Sequence, residues 1–340
     1  AAESDVKLLI DGWFVESMAD LNQKQPQLLS YLTQNAIWWV EYADLSGYRV
    51  DTYPYNSRDE ITQWTKAIMD EYPNFSIVAE SWVINPIHLS YWQKDSPIAA
   101  MSGFNSQVTH VKDFALFAAV QDIYQGDTPW WEQKMNKIYK VFQNDFVYAN
   151  PNDLIVFLEN HDTSRINEIA SEFYQYKLMT TLLATVRGVP QTYYGTEINM
   201  RGAKEKGDAD LRRDFPGGWP SDTRTAFNKA GRTEVENNYF DFTAQLFNWR
   251  KNEPVIHFGK TMHYAPQNEV YVYFRYTDNK TIMVVLNAND EDQTLNMQRF
   301  NQRIGSAQMG KDVFSDAVTP LTGQLPIPAN SVKIISFNTP

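Results

Sequence analysis

Gly47-Tyr48-Arg49-Val50-Asp51 reads as a short buried strand with an acid at its exit, and Phe75-Ser76-Ile77-Val78-Ala79-Glu80 repeats the pattern. Between them residues 58–72 (RDEITQWTKAIMDEY) have helical periodicity, stopped by Pro73-Asn74. Upstream, residues 26–46 place Leu28, Leu29, Leu32, Ala36, Trp39 and Ala43 at three- and four-residue spacing. That predicts an amphipathic helix with Pro26 in its first turn and Gly47 ending it. Downstream, Val108–Asp113 predicts a third strand followed by helix to about Val141, with Trp130-Trp131 at a helix start. Leu154-Ile155-Val156-Phe157-Leu158 is a fourth strand, ending in Glu159-Asn160-His161-Asp162. A helix over about 171–187 leads to Gly188-Val189-Pro190 and a fifth strand, Gln191-Thr192-Tyr193-Tyr194.

Strand–helix alternation of this kind implies a parallel sheet with helical crossovers, an α/β class. Polar residues gathered at the C-terminal strand ends suit the active face of a TIM (β/α)8 barrel. Residues 199–238, rich in Gly and charge, read as a long excursion loop, and 240–252 return to helix. From about 256 the texture changes to β runs, Glu269–Tyr276 and Thr281–Leu286, with another pair ending at Phe337. The expected division is a barrel part over 1–255 and a small antiparallel β-sandwich over 256–340.

Composition narrows the function classes. The 340 residues carry 30 Lys and Arg against 41 Asp and Glu, a net charge of −11, which disfavours a nucleic-acid surface. No stretch approaches the roughly 18–20 apolar residues of a membrane span. There is no Cys, which removes disulfides and thiolate chemistry, and with 5 His an imidazole zinc site is not expected. Of the 10 Trp, 19 Tyr and 19 Phe, part is ordinary core, and the high Trp count suggests flat apolar ligands.

Three acids, Asp51, Glu80 and Asp162, stand just beyond three separate strands. In a parallel sheet such ends share one face, and a retaining glycosidase needs two carboxyls about 5–5.5 Å apart. The surrounding residues go further. Gly47-Tyr48-Arg49-Val50-Asp51 resembles the nucleophile-strand motif of the α-amylase superfamily of glycoside hydrolases (family 13). Val78-Ala79-Glu80-Ser81-Trp82 resembles its acid/base motif, and Phe157-Leu158-Glu159-Asn160-His161-Asp162 its third-carboxylate motif. Met18-Ala19-Asp20-Leu21-Asn22 and Gly188-Val189-Pro190-Gln191-Thr192-Tyr193-Tyr194-Gly195-Thr196-Glu197 are similar to two further family segments. Where many α-amylases place Lys-His after the nucleophile, this chain has Tyr53-Pro54-Tyr55. With His161-Asp162-Thr163-Ser164-Arg165, that is most similar to the cyclomaltodextrinase and neopullulanase branch.

The resemblance implies an α-1,4-glucan or cyclodextrin hydrolase acting by retaining double displacement. It makes Asp51 the nucleophile, Glu80 the acid/base, and Asp162 with His161 the grip on sugar hydroxyls. Arg49, two residues from Asp51 on the same side of the strand, would hold Asp51 ionised. Tyr53, Tyr55, Trp82, Phe104 and Trp219 are candidate sugar platforms, since pyranose faces pack on flat rings. A non-catalytic carbohydrate-binding relative or inactive fragment, and a transglycosylase or glucan-isomerising enzyme with the same acids, stand as alternatives. No cofactor is expected. Calcium occurs in the family, but its usual ligands precede this stretch, so no metal is assigned. The first family motif, Asp-x-x-x-Asn-His, is not found in residues 1–46. The chain is therefore expected to represent about strands 4–8 of the barrel. The first strands would come from the missing N-terminal portion of the same precursor or from another chain. Periplasmic or secreted placement is preferred to cytoplasmic.

Overall fold

The computed structural model describes residues 2–129 and 131–339, so Trp130 lies outside the described residues. Its neighbour Trp131 is exposed in a turn. The chain forms two compact units, Ala1–Ala115 with Asn144–Ile155, and Leu116–Gln143 with Val156–Pro340.

The first unit is built on a parallel sheet of β1 (Gly47–Val50), β2 (Ser76–Ala79) and β3 (His110–Val111), in the order β1-β2-β3. Val50 pairs with Ala79 and Ala79 with Val111, so the three C-terminal ends are level. Helices Pro26–Ala43 and Arg58–Glu71 supply Ala36, Val40 and Ile68 to a core shared with Ile77, Ala79, Val108 and Val111. The first of these helices stops earlier than expected. Asp44 adopts a left-handed conformation (φ 51°) and its N–H returns to the Val40 carbonyl. Gly47 serves another purpose: a Cβ there would sit 2.7 Å from the Ser76 carbonyl oxygen, so its bareness permits the close approach of β1 to β2. Strand β4 (Ile155–Phe157) begins in this unit, where Ile155 bridges in parallel to Lys112.

In the second unit β4 lies beside β5 (Val189–Gln191). The helix expected to run to about Val141 is divided into Phe114–Gln125 and Asn136–Phe142. Gly126 and Pro129 fall between them, the two residue types least compatible with a helix interior. Helix Glu234–Lys251 starts before the expected 240 because Thr233 and Glu236 form a reciprocal capping box.

The antiparallel strands follow as β6 (Lys260–Gln267), β7 (Val270–Tyr276), β8 (Lys280–Asn287), β9 (Gln293–Asn296), β10 (Met309–Asp312), β11 (Val318–Pro320), β12 (Gln324–Ile327) and β13 (Ser331–Asn338). Six form a sheet in the order β11-β10-β13-β8-β7-β6, and β12 pairs with β9. Val272, Phe274, Met283, Val285 and Ile335 from the large sheet pack on Leu295, Leu325 and Ile327 from the small one, a sandwich core. Strand β7 is buried on both faces because its other face is also covered. There Tyr273 Oη meets Thr185 Oγ1, at the end of helix Phe173–Thr185, at 2.5 Å. No helix among the described residues is long and apolar enough to cross a membrane.

Candidate active site

Asp51 and Glu80 each stand one residue beyond a paired position, Val50 and Ala79. Two backbone hydrogen bonds hold them side by side: the Glu80 N–H donates to the Val50 carbonyl (2.9 Å) and the Tyr53 N–H to the Glu80 carbonyl (3.1 Å). Arg49 reaches both acids. Its Nη1 lies 3.0 Å from Asp51 Oδ1 and its Nη2 pairs with Glu80 Oε1. The two carboxyls lie within hydrogen-bonding range of each other. One guanidinium thus spans both acids. The Asp51 side chain is 67% exposed, whereas Glu80 is 4% exposed. Burial foremost, then the hydrogen bond with Asp51, pushes the Glu80 carboxyl above the ordinary range; Arg49 and Lys112 oppose the rise. One acid is open to solvent; its neighbour is sheltered.

In the second unit, Asp162 lies between two cationic or basic groups. Arg212 Nη2 is 2.8 Å from Asp162 Oδ1, and His161 Nε2 is 3.1 Å from Asp162 Oδ2. Arg212 Nε also donates to the His161 carbonyl, and the Asp162 N–H donates to Asn160 Oδ1. Asp162 is thereby held as an oriented acceptor. The Glu159 carboxyl in the same motif has a different environment. It is buried, accepts from the Thr196 hydroxyl and the Ile166 N–H, and burial pushes it up to about 7. Arg165, fully buried, ties the following excursion to this motif: its Nε donates to the Leu211 carbonyl, its Nη1 to the Tyr194 carbonyl, and it stacks on the Tyr193 ring.

The five candidate platforms separate by exposure. Trp82 is 47% exposed and stacks on Phe114, leaving one ring face open. Tyr55 is partly exposed, edge-on to Phe14, and Trp219 is exposed on the excursion loop. Tyr53 and Phe104 do not fit the role. Tyr53 has 0% exposure, with its hydroxyl bonded to Thr65 and to the Ser106 carbonyl. Phe104 is buried between Tyr91, Trp92 and Arg58. Both rings are spent on the interior and have no face left for a sugar.

Residues 10–281 match the family described as alpha amylase, catalytic domain. The chain belongs to the alpha-amylase family. Residues 261–336 also match the cyclo-malto-dextrinase C-terminal domain, a region that begins with β6. A cyclomaltodextrin glucanotransferase of Bacillus licheniformis is 26% identical over 289 residues, which is 84% of this chain and 36% of that protein. Alpha-amylase 2 of Dictyoglomus thermophilum is 22% identical over 290 residues, covering 83% of this chain and 46% of the relative. The chain thus spans between about a third and a half of the length of these relatives. Among solved structures, an alpha-amylase from Geobacillus thermoleovorans complexed with acarbose superposes with a TM-score of 0.80 at 21% identity, over 99% of this chain and 69% of the other. A cyclomaltodextrinase gives 0.72 at 20% identity, over 93% and 50%. The fold is that of the alpha-amylase family, (β/α)8-type strands and helices followed by an antiparallel β domain.

Two residues of this alpha-amylase family chain were not legible as site residues. Arg212 lies in a stretch whose only sequence signal was Gly and charge, and nothing in Asp208–Arg213 marks which cation reaches Asp162. Lys112, buried at the end of β3, approaches Glu80 Oε1 to 4.0 Å.

Proposed function

We propose that the protein is a retaining glycoside hydrolase for α-1,4-linked glucans, with starch-derived oligosaccharides and cyclodextrins as substrates. Glu80 carries the reading, because it is a sheltered carboxyl in contact with an open one and a shared guanidinium spans both. A pyranose ring entering at Asp51 parts the two acids, leaving the proton on Glu80 and the charge on Asp51. Asp51 attacks the anomeric carbon as Glu80 protonates the departing oxygen. Glu80 then takes a proton from the water that releases the glycosyl group, restoring both acids. Asp162, with His161, is assigned to the sugar hydroxyls that sharpen their contacts in the distorted ring of the transition state. Trp82, Tyr55 and Trp219 are the proposed platforms.

Glu80→Gln removes the transferable proton and little bulk. Reducing-sugar release from maltoheptaose should vanish while binding of the oligosaccharide persists; a variant with parental turnover would overturn the assignment. The glucanotransferases among the relatives favour a second reading, in which an acceptor sugar replaces water. Chromatography of the products separates the two, since transfer yields chains longer than the substrate.

We also propose that a further parallel strand, from a preceding segment or another chain, docks on the free edge of β1. A cavity of about 410 Å³ lies along that edge, lined by Leu29, Leu32, Ala36, Trp39, Val50 and Ile61. Trp38 and Tyr42 beside it are exposed, and an uncovered sheet edge with apolar surroundings is a template for pairing. Size exclusion with intact-mass measurement tests this: a single 39.4 kDa species with full activity would overturn it.

A further inference from the structure

Register brings a third charged group level with the two acids. Val50, Ala79 and Val111 are partners across β1, β2 and β3, so the next residues, Asp51, Glu80 and Lys112, form a row at the strand ends. Lys112 is 3% exposed. Its backbone leaves no freedom of position: its N–H donates to the Ala79 carbonyl, its carbonyl accepts from the Phe114 N–H, and it bridges to Ile155. The ammonium lies 4.0 Å from Glu80 Oε1, on the side away from β1. A buried ammonium is expensive to desolvate unless an anion answers it. Here one answering group is the carboxyl that must be acid in one step and base in the next.

We infer that Lys112 is a positioning residue for Glu80, holding its carboxyl in place and setting the pH range in which it gives up its proton. The inference rests on the assignment of Glu80 as acid/base and extends it. The groups facing Glu80 are Arg49 and Asp51 from β1 and Lys112 from β3. Burial and Asp51 favour the protonated form, which protonates the leaving glycosidic oxygen. Arg49 and Lys112 favour the carboxylate, which remains once that proton has gone and which must then accept a proton from water. When Asp51 becomes esterified its charge disappears, and the two cations dominate. Lys112 therefore keeps Glu80 from becoming too weak an acid, and it stabilises the base that the second displacement needs.

The test has two arms. In the first, the protein is labelled with 13C at the glutamate side-chain carboxyl and Glu80 is assigned by loss of its signal in Glu80→Gln. Lys112→Met should raise the Glu80 titration midpoint by about one pH unit, as expected on removing an opposite charge at this distance, and Lys112→Arg should restore it. In the second, the basic limb of the kcat/KM profile on maltoheptaose should move to higher pH in Lys112→Met by the same amount. A midpoint that stays in place or falls overturns the inference, even if Tm drops, because a purely structural lysine would move Tm alone. Should Lys112→Met not fold, Lys112→Gln replaces it, neutral and able to hydrogen-bond. The carboxyl titration needs no turnover, so it reports on Lys112 separately. Failure of the acid/base assignment would appear elsewhere, as persisting hydrolysis by Glu80→Gln.

Discussion

Glu80 and Glu159 both stand just past a parallel strand, both are buried, and burial pushes both carboxyls upward. Their neighbours differ. Glu80 is surrounded by ionisable groups, Asp51, Arg49 and Lys112, whose charges can change its protonation as a reaction proceeds. Glu159 is hydrogen-bonded by fixed donors, the Thr196 hydroxyl and the Ile166 N–H, which join the strand end to two later segments, while Arg165 and Glu197 act on it through space. Arg165 stands at 3.9 Å from it. Burial alone does not single out a candidate for proton transfer; the company of a second acid open to solvent does.

The sharpest way to break this contrast is in turnover. Glu80→Gln should lower kcat by about 10²–10⁴-fold, the usual weight of a general acid, with KM near the parental value. Glu159→Gln should change kcat/KM on maltoheptaose by less than about tenfold. If the two variants lose activity equally, the distinction fails.

Stability should show the reverse order. Glu159 keeps its proton in the folded chain up to about pH 7, whereas the unfolded chain releases it near 4.5. The folded state thus binds more protons within that window, so stability falls as pH rises through it, by on the order of 3 kcal/mol. Glu197, also raised by burial, adds in the same direction. Urea unfolding at pH 5 and pH 8 should show the drop in the parent and a shallower one in Glu159→Gln.

Smaller effects refine the comparison. Arg212→Gln removes a charge-assisted contact to Asp162 and should reduce kcat/KM by about 10–100-fold, without moving the basic limb governed by Glu80. Among the aromatics, Trp82→Ala should raise KM about three- to tenfold, the worth of one stacked ring. Tyr53→Phe should leave KM alone and lower stability by about 1 kcal/mol, through its lost bond to Thr65. A KM effect from Tyr53 rather than Trp82 would reverse the sorting of the platforms.

Much of the fold was legible because it is periodic. The Arg58–Glu71 helix, the strands flanking it and the apolar strand before Glu159 all have a spacing that admits one reading. The strand ends at Asp51 and Glu80 were legible from the same spacing, whereas their proposed roles came from the motifs around them. The rest depended on local backbone choices or distant contacts. Thr52 adopts a left-handed conformation (φ 45°), which turns Tyr53 into the core while Tyr55 remains partly exposed. No residue type announces such a turn when a threonine makes it. Arg212 reaches Asp162 from an excursion that buried Arg165 anchors through the Leu211 carbonyl, a contact spanning 46 residues. The early start of helix Glu234–Lys251 could have been read from Thr233 and Glu236, whose spacing is that of a capping box.

The missing side chain at Gly47 has a reach greater than its size. Strand β1 is four residues long, and at its first residue even a methyl group would press on the Ser76 oxygen. Any displacement there that slid β1 by one step would exchange its two faces. Tyr48 and Val50 would then point where the guanidinium and the open acid now stand, and Glu80 would keep only Lys112 as a charged neighbour. The chemistry at one end of the strand is thus guarded by an atom left out at the other.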